Sequence, residues 1–179
     1  MRILFPMVFA FAVSAGVAQA QPAAADPVSS SIRSEWRTVE RYIKESADLM
    51  DEANYSFKPV DSVRTFGAIL AHVTGANYEY CAAAKGEKAP HAESDFEKTL
   101  TKKADIVKAL NESLAYCDAA YTSATDASLA QMGNAPFGSG QAPKASALMG
   151  NIGHLSEHYG NLVTYFRIKG IVPPSSRRQ

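Results

Sequence analysis

Apolar residues recur at steps of three and four along four stretches of the chain, and each stretch reads as one face of a helix. In the first, Ile32, Trp36, Val39, Ile43, Ala47 and Met50 form a single stripe. The serines at 29 to 31 offer it an N-cap, and Asn54 to Pro59 interrupts it. A second helix is predicted from Asp61 or Ser62 to about Ala84, with Phe66, Ile69, Leu70, Val73, Ala76, Tyr80 and Cys81 inward; Gly86 and Pro90 mark the loop after it. Ser94-Asp95-Phe96-Glu97 reads as a capping box opening a third stripe of Phe96, Leu100, Ile106, Val107, Leu110, Leu114, Cys117 and Tyr121. The last helix opens near Pro143 or Lys144, carries Leu148, Ile152, Leu155, Tyr159, Leu162 and Phe166, and ends at Gly170 before Pro173-Pro174.

Thr122 to Pro143, rich in Gly, Ser, Ala and Pro, is long for a connection in a small domain, and such segments are often functional; it could form a lid. Neither strand-like alternation of any length nor an internal repeat is present. Helices of roughly 20 to 28 residues with one apolar face bury those faces only together, so the pattern predicts an all-α four-helix bundle with a long connection before the last helix.

The ends of the chain are patterned differently. Arg2, an apolar run from Ile3 to about Val17 and then Ala18-Gln19-Ala20 read as a signal peptide over residues 1–20, cleaved near Ala20. A retained N-terminal anchor is the alternative, although the run is shorter than the ~20 apolar residues that span a bilayer. No cysteine at the cleavage point offers a lipid attachment site. Residues 21–29 form a flexible leader, 30–172 the bundle and 173–179 a C-terminal tail. The expected location is the periplasm or the exterior, with no stable membrane insertion.

Charge narrows the partners. Lys and Arg together number 18, as do Asp and Glu; losing Arg2 with the signal leaves 17 against 18, a net −1. That balance argues against a nucleic-acid binder, which would show a basic face.

Both cysteines, Cys81 and Cys117, lie in the exported part, where a disulfide persists, and their spacing fits no metal motif. Each falls about 30 Å along its predicted helix at 1.5 Å per residue. They can therefore bridge only if the second and third helices run parallel. The Lys85 to Glu93 link could span about 30 Å if extended, which makes such a crossover feasible.

Four histidines occur, three of them inside predicted helices. His154 and His158, four apart, share a helix face, and His72 sits on an inward edge of the second helix. Three imidazoles on two rigid helices could hold one divalent metal, zinc first and nickel or iron as alternatives, with an open coordination position. The competing reading makes His154 and His158 an interfacial pair and His72 a core histidine bonded to a hydroxyl or amide. His91, beside Pro90, reads as ordinary surface. His154-Leu155-Ser156-Glu157-His158 also spells the inverted zinc-peptidase signature, but no Asp or Glu follows Glu157 to supply its third ligand. Glu157 remains a candidate general base, or a solvated glutamate.

Ser62-Val63-Arg64-Thr65-Phe66-Gly67-Ala68-Ile69-Leu70-Ala71-His72, together with His154 to Leu162 and Tyr165 to Pro174, resembles the DinB/YfiT-like family, whose members are regarded as metalloenzymes. The resemblance spans essentially the whole exported chain. It implies an up-down-down-up bundle, in agreement with the parallel pair that the cysteine levels require, and one ion on His72, His154 and His158. Many relatives carry a second histidine before the last ligand and Arg-Gly-Gln after it; here stand Glu157 and Tyr159-Gly160-Asn161. Relatives implied by the resemblance include transferases and isomerases that use the thiols mycothiol or bacillithiol, which an exported protein would not obviously meet.

Three functions compete on these grounds. The first is a metalloenzyme activating water or a thiol toward an unknown small-molecule substrate, with Asn77, Tyr80 and Tyr159 orienting ligands or substrate. The second is a non-catalytic bundle holding metal or a small ligand. The third is a metal-free bundle acting through partner contacts. Family relatives often pair, so a homodimer is an expectation.

Overall fold

The structure, a computed structural model, describes residues 26–138 and 140–177; the expected signal peptide and residues 21–25 of the leader lie outside the described residues. Six helices occur among them: α1 Pro27–Leu49, α2 Phe66–Lys85, α3 Glu93–Thr99, α4 Lys103–Ser123, α5 Asp126–Leu129 and α6 Lys144–Ile168. Four are long, and their stripes close one core. Trp36 stacks on Tyr121 with ring centroids 4.3 Å apart, and Phe66 meets Phe166 edge-on at 5.4 Å.

Pair contacts set the directions. Arg33 reaches the Tyr121 carbonyl while Lys103 reaches those of Asp48 and Met50, so α1 and α4 are antiparallel. Asn77 bonds Ser113 and Cys81 bridges Cys117, both pairs 36 apart and ascending together, so α2 and α4 are parallel. Tyr80 lies against Gly150 and Phe66 against Phe166, which makes α2 and α6 antiparallel. The bundle is up-down-down-up. The Cys81–Cys117 disulfide, with Cα atoms 5.2 Å apart, sits at the common level that parallel helices demand.

Several boundaries depart from the expectation. α1 begins at Pro27, whose fixed φ suits a first helical position, rather than after the serines. Its cap comes from across the bundle: the Asp126 carboxylate accepts the amides of Ser29 at 2.7 Å and Val28 at 3.2 Å, while the Asp126 amide donates to Asp26 at 2.8 Å. α2 starts at Phe66, not at Asp61 or Ser62, because the Thr65 hydroxyl accepts the Ala68 amide and caps it there. The amides of Phe66 and Gly67 instead bond the Phe57 and Tyr55 carbonyls, folding the intervening turn onto the helix start.

The predicted third helix is two. Leu100 and Lys102 are extended, so α3 and α4 separate without a glycine or proline between them. The Ser94–Glu97 capping box does not form. Ala92 precedes α3, its amide bonded to Asp95, while Ser94 takes Lys98 and Glu97 takes Arg64.

The long connection is ordered into α5 and a two-stranded antiparallel hairpin, β1 Met132–Asn134 with β2 Gln141–Pro143, paired Met132 to Pro143, Gly133 to Ala142 and Asn134 to Gln141. Near its tip Phe137 has a φ of 57°, unusual for a side chain of that size. α6 ends in Gly170 at φ 70°, with the Ile171 amide returning to the Phe166 carbonyl. The segment expected to be a tail packs back, with Pro174 buried and the Ser175 amide donating to the Tyr159 hydroxyl at 2.8 Å. No helix among the described residues is long and apolar enough to cross a membrane.

Candidate metal centre

His72 projects from α2, and His154 and His158 from adjacent turns of α6. Because α2 and α6 are antiparallel neighbours, the three rings meet between them, and one nitrogen from each falls within 4.8 Å of the others. Nε2 of His154 is 3.1 Å from Nε2 of His72 and 3.2 Å from Nε2 of His158. Two nitrogens each about 2.05 Å from a tetrahedral zinc would stand about 3.3 Å apart, so the spacing matches a shared ion.

Proton bookkeeping favours the same reading. Nδ1 of His72 is 3.4 Å from Oε1 of Glu93 and 3.4 Å from Oε2 of Glu97, so that nitrogen carries the proton and Nε2 presents a lone pair. Nε2 of His154 then faces two imidazole nitrogens but has at most one proton to give. A cation satisfies all three lone pairs at once. Burial pushes each imidazole down to about 4, helped at His72 by the charge of Arg64, at His154 by His158 and at His158 by His72. The rings are therefore neutral at physiological pH, the form that ligates metal.

The carboxylates are placed by close packing. Gly75 lies one turn beyond His72 and directly under the backbone of Glu93, where a Cβ would collide with the Glu93 carbonyl. That contact lets α3 lie on α2 and carries Glu93 and Glu97 over the His72 ring. Glu97 in turn accepts Arg64 Nε at 2.8 Å. Burial raises the Glu93 carboxyl, with Arg64 opposing it.

The other expected residues divide. The Tyr80 ring stands 5.7 Å from His154 and meets Phe137 of the hairpin at 5.0 Å, so the long connection reaches the centre through Tyr80. Asn77 instead belongs to the α2–α4 seam: it donates to the Ser113 hydroxyl at 3.0 Å, and its carbonyl is 3.2 Å from Cys117 Sγ. Tyr159 turns away as well, stacked on Tyr42 and holding Ser175. Glu157 is exposed and makes no hydrogen bond or ion pair among the described residues. His91 is exposed, edge-on to Tyr78 and Phe96.

Sequence reasoning passed over Glu93, Glu97 and Arg64. Their one signal was Glu97, read as a cap because it stood three residues after a serine. Beside His158 opens a cleft of about 640 Å³, walled by Val60, Val63, Arg64, Glu97, Asn161 and Tyr165 among others.

A family model described as the DinB superfamily matches residues 35–162. Among solved structures the chain is similar to a mycothiol-dependent maleylpyruvate isomerase, at 17% identity and a TM-score of 0.61 over 75% of this chain; it spans only 60% of that isomerase's length. A DinB-like protein from Bacillus cereus aligns at 18% identity and a TM-score of 0.67, covering 81% of this chain and 95% of its own. YfiT from Bacillus subtilis, described as "a probable metal-dependent hydrolase with an unusual four-helix bundle topology", aligns at 13% identity and a TM-score of 0.61, covering 86% and 94%. No curated protein matches the chain in sequence. At these identities the structural likeness establishes the fold.

Proposed function

The chain belongs to the DinB superfamily, and from that premise we propose that it is an exported metalloenzyme whose His72, His154 and His158 hold one divalent ion, zinc by first choice and nickel or iron otherwise. The observation that carries this reading is the approach of His154 Nε2 to both other Nε2 atoms at 3.1 and 3.2 Å. A divalent ion so held is a Lewis acid that lowers the pKa of a coordinated water or thiol. The reaction class is hydrolysis or thiol-dependent transfer on a small molecule, in line with the printed descriptions of YfiT and the isomerase.

The chain's own groups have definite tasks in this scheme. Glu97 and Glu93, each 3.4 Å from Nδ1 of His72, favour the proton on that nitrogen, which fixes the tautomer and leaves Nε2 as the donor atom. Glu157, next to His158 in the chain, is the general-base candidate in this scheme, while Glu93 and Glu97 face the outer nitrogen of His72. Tyr80, 5.7 Å from His154 and edge-on to Phe137 of the hairpin, gives the centre an aromatic neighbour from the long connection.

The signal-like first twenty residues and the disulfide both support export to the periplasm or beyond. The balanced charge supports a small-molecule rather than a nucleic-acid partner, and a homodimer is the assembly we propose.

Elemental analysis of untagged protein tests the reading. One ion per chain is expected, lost in His154→Ala; wild-type protein that takes up no zinc, nickel or iron would overturn it. Screening metal-loaded protein for hydrolysis and thiol transfer beside His72→Ala separates an enzyme from a bundle that only holds metal.

A further inference from the structure

We propose that the cleft beside His158 binds a small organic monocarboxylate with an apolar body, anchored by Arg64; the charge argument for this rests on the metal reading above. The cleft has the two kinds of wall such a ligand needs. Val60 and Val63 stand at its mouth 57% and 41% exposed, unusually open for their type, and Pro59 and Ile69 extend the apolar side. Asn161, Thr164 and Arg64 supply the polar side.

Arg64 is held ready. Its carbonyl accepts the Tyr165 hydroxyl at 2.5 Å, which pins the backbone, and its Nε is spent on Glu97. Nη1 and Nη2 make no hydrogen bond among the described residues, so one edge of the guanidinium fork is free. A planar fork edge suits a carboxylate, which it can bind through two parallel bonds. The charge reaches the histidines too, since Arg64 acts on all three imidazoles.

The lining favours a monoanion. Arg64 lines the cleft, and a divalent ion on the histidines would add positive charge beside His158, against the one lining carboxylate, that of Glu97. A phosphate dianion would bring a second negative charge beside Glu97, and a neutral amide would forgo the charge-assisted pair with the guanidinium.

Calorimetric titration of the zinc-loaded full chain with benzoate, with benzamide and inorganic phosphate as comparators, tests the proposal. Benzoate is expected to bind saturably and roughly ten-fold or more tighter than either comparator, and Arg64→Gln to abolish that advantage. Val63→Glu, an exposed change at the rim that should not disturb folding, is expected to weaken benzoate several-fold by repulsion, so the test survives a misfolded Arg64 variant. Benzoate that binds no tighter than benzamide, or that is indifferent to Arg64→Gln and Val63→Glu, overturns the proposal. Zinc content is read separately: a chain that holds no zinc yet binds benzoate through Arg64 sustains the cleft and sinks the metal reading.

Discussion

Gly75 of α2 and Glu93 of α3 pack backbone to backbone, with no room for a methyl group between them. This contact is what lays α3 across α2, and α3 carries both carboxylates that meet His72. A helix of seven residues has little stability of its own, so its position depends on the docking.

Gly75→Ala should therefore move α3 outward. The expected cost is about 1–3 kcal/mol of stability, read from the urea midpoint, as for other enlargements of a packed contact. Metal affinity should fall as well, because Glu93 and Glu97 leave Nδ1. A variant with unchanged midpoint and unchanged affinity would show that α3 is not held there.

Glu97→Gln and Glu93→Gln remove the partners of the His72 proton without touching a ligand. Outer carboxylates of this kind typically contribute about 10–100-fold in metal affinity. A fall of that order in chelator competition is expected for Glu97→Gln, smaller for Glu93→Gln, and none for the exposed Glu157→Gln. An equal effect at Glu157 would show that the loss is not specific to the carboxylates beside His72.

Acid should weaken the metal-free protein in a defined window. The three imidazoles fall to about 4 in the folded chain from an ordinary 6.5, so between those values the unfolded chain binds more protons. Stability is whole above 6.5, erodes as pH drops below it and stops eroding near 4. The urea midpoint of metal-free protein should thus be lower at about pH 5 than at about pH 7. Saturating zinc should raise both midpoints yet keep the difference at least as large, because it holds the folded rings unprotonated while those of the unfolded chain still titrate.

Tyr159→Phe tests whether that hydroxyl serves the metal or the C-terminal segment. Removing it leaves the Ser175 amide without its acceptor, at a cost of about 1 kcal/mol. Metal content should not change. Loss of metal with an unchanged melting temperature would place the hydroxyl in the metal centre instead.

Much of this was legible in the chain. The stripe from Ile32 to Met50 and that from Leu148 to Phe166 predicted α1 and α6, and the depth of two cysteines required the parallel pair. His72, His154 and His158 were legible as a set because periodicity placed each on an inward face. The break at Leu100 to Lys102 was not, since no glycine or proline marks it and the apolar spacing runs through. Glu93 and Glu97 were hidden for the same reason: their approach to His72 depends on a tertiary contact at Gly75, which local pattern cannot show. The start of α2 was misplaced because Asp61, Ser62 and Thr65 are all competent caps, and only the fold of the preceding turn chooses among them. Asn77 and Tyr159 lie close to ligands in sequence but on other faces of their helices.

The disulfide carries a last consequence. Asn151, one turn before His154, lies 3.5 and 3.6 Å from the sulfurs of Cys81 and Cys117, so the cross-link underpins the floor beneath the histidines. A bridge spanning 36 residues is worth about 4 kcal/mol in the chain-entropy treatment. Replacing both cysteines by alanine should lower the unfolding free energy by that order and loosen the seat of His154. Maturation then becomes conditional on redox state: chain held reduced has every donor atom but lacks the clamp, and oxidation completes the grip.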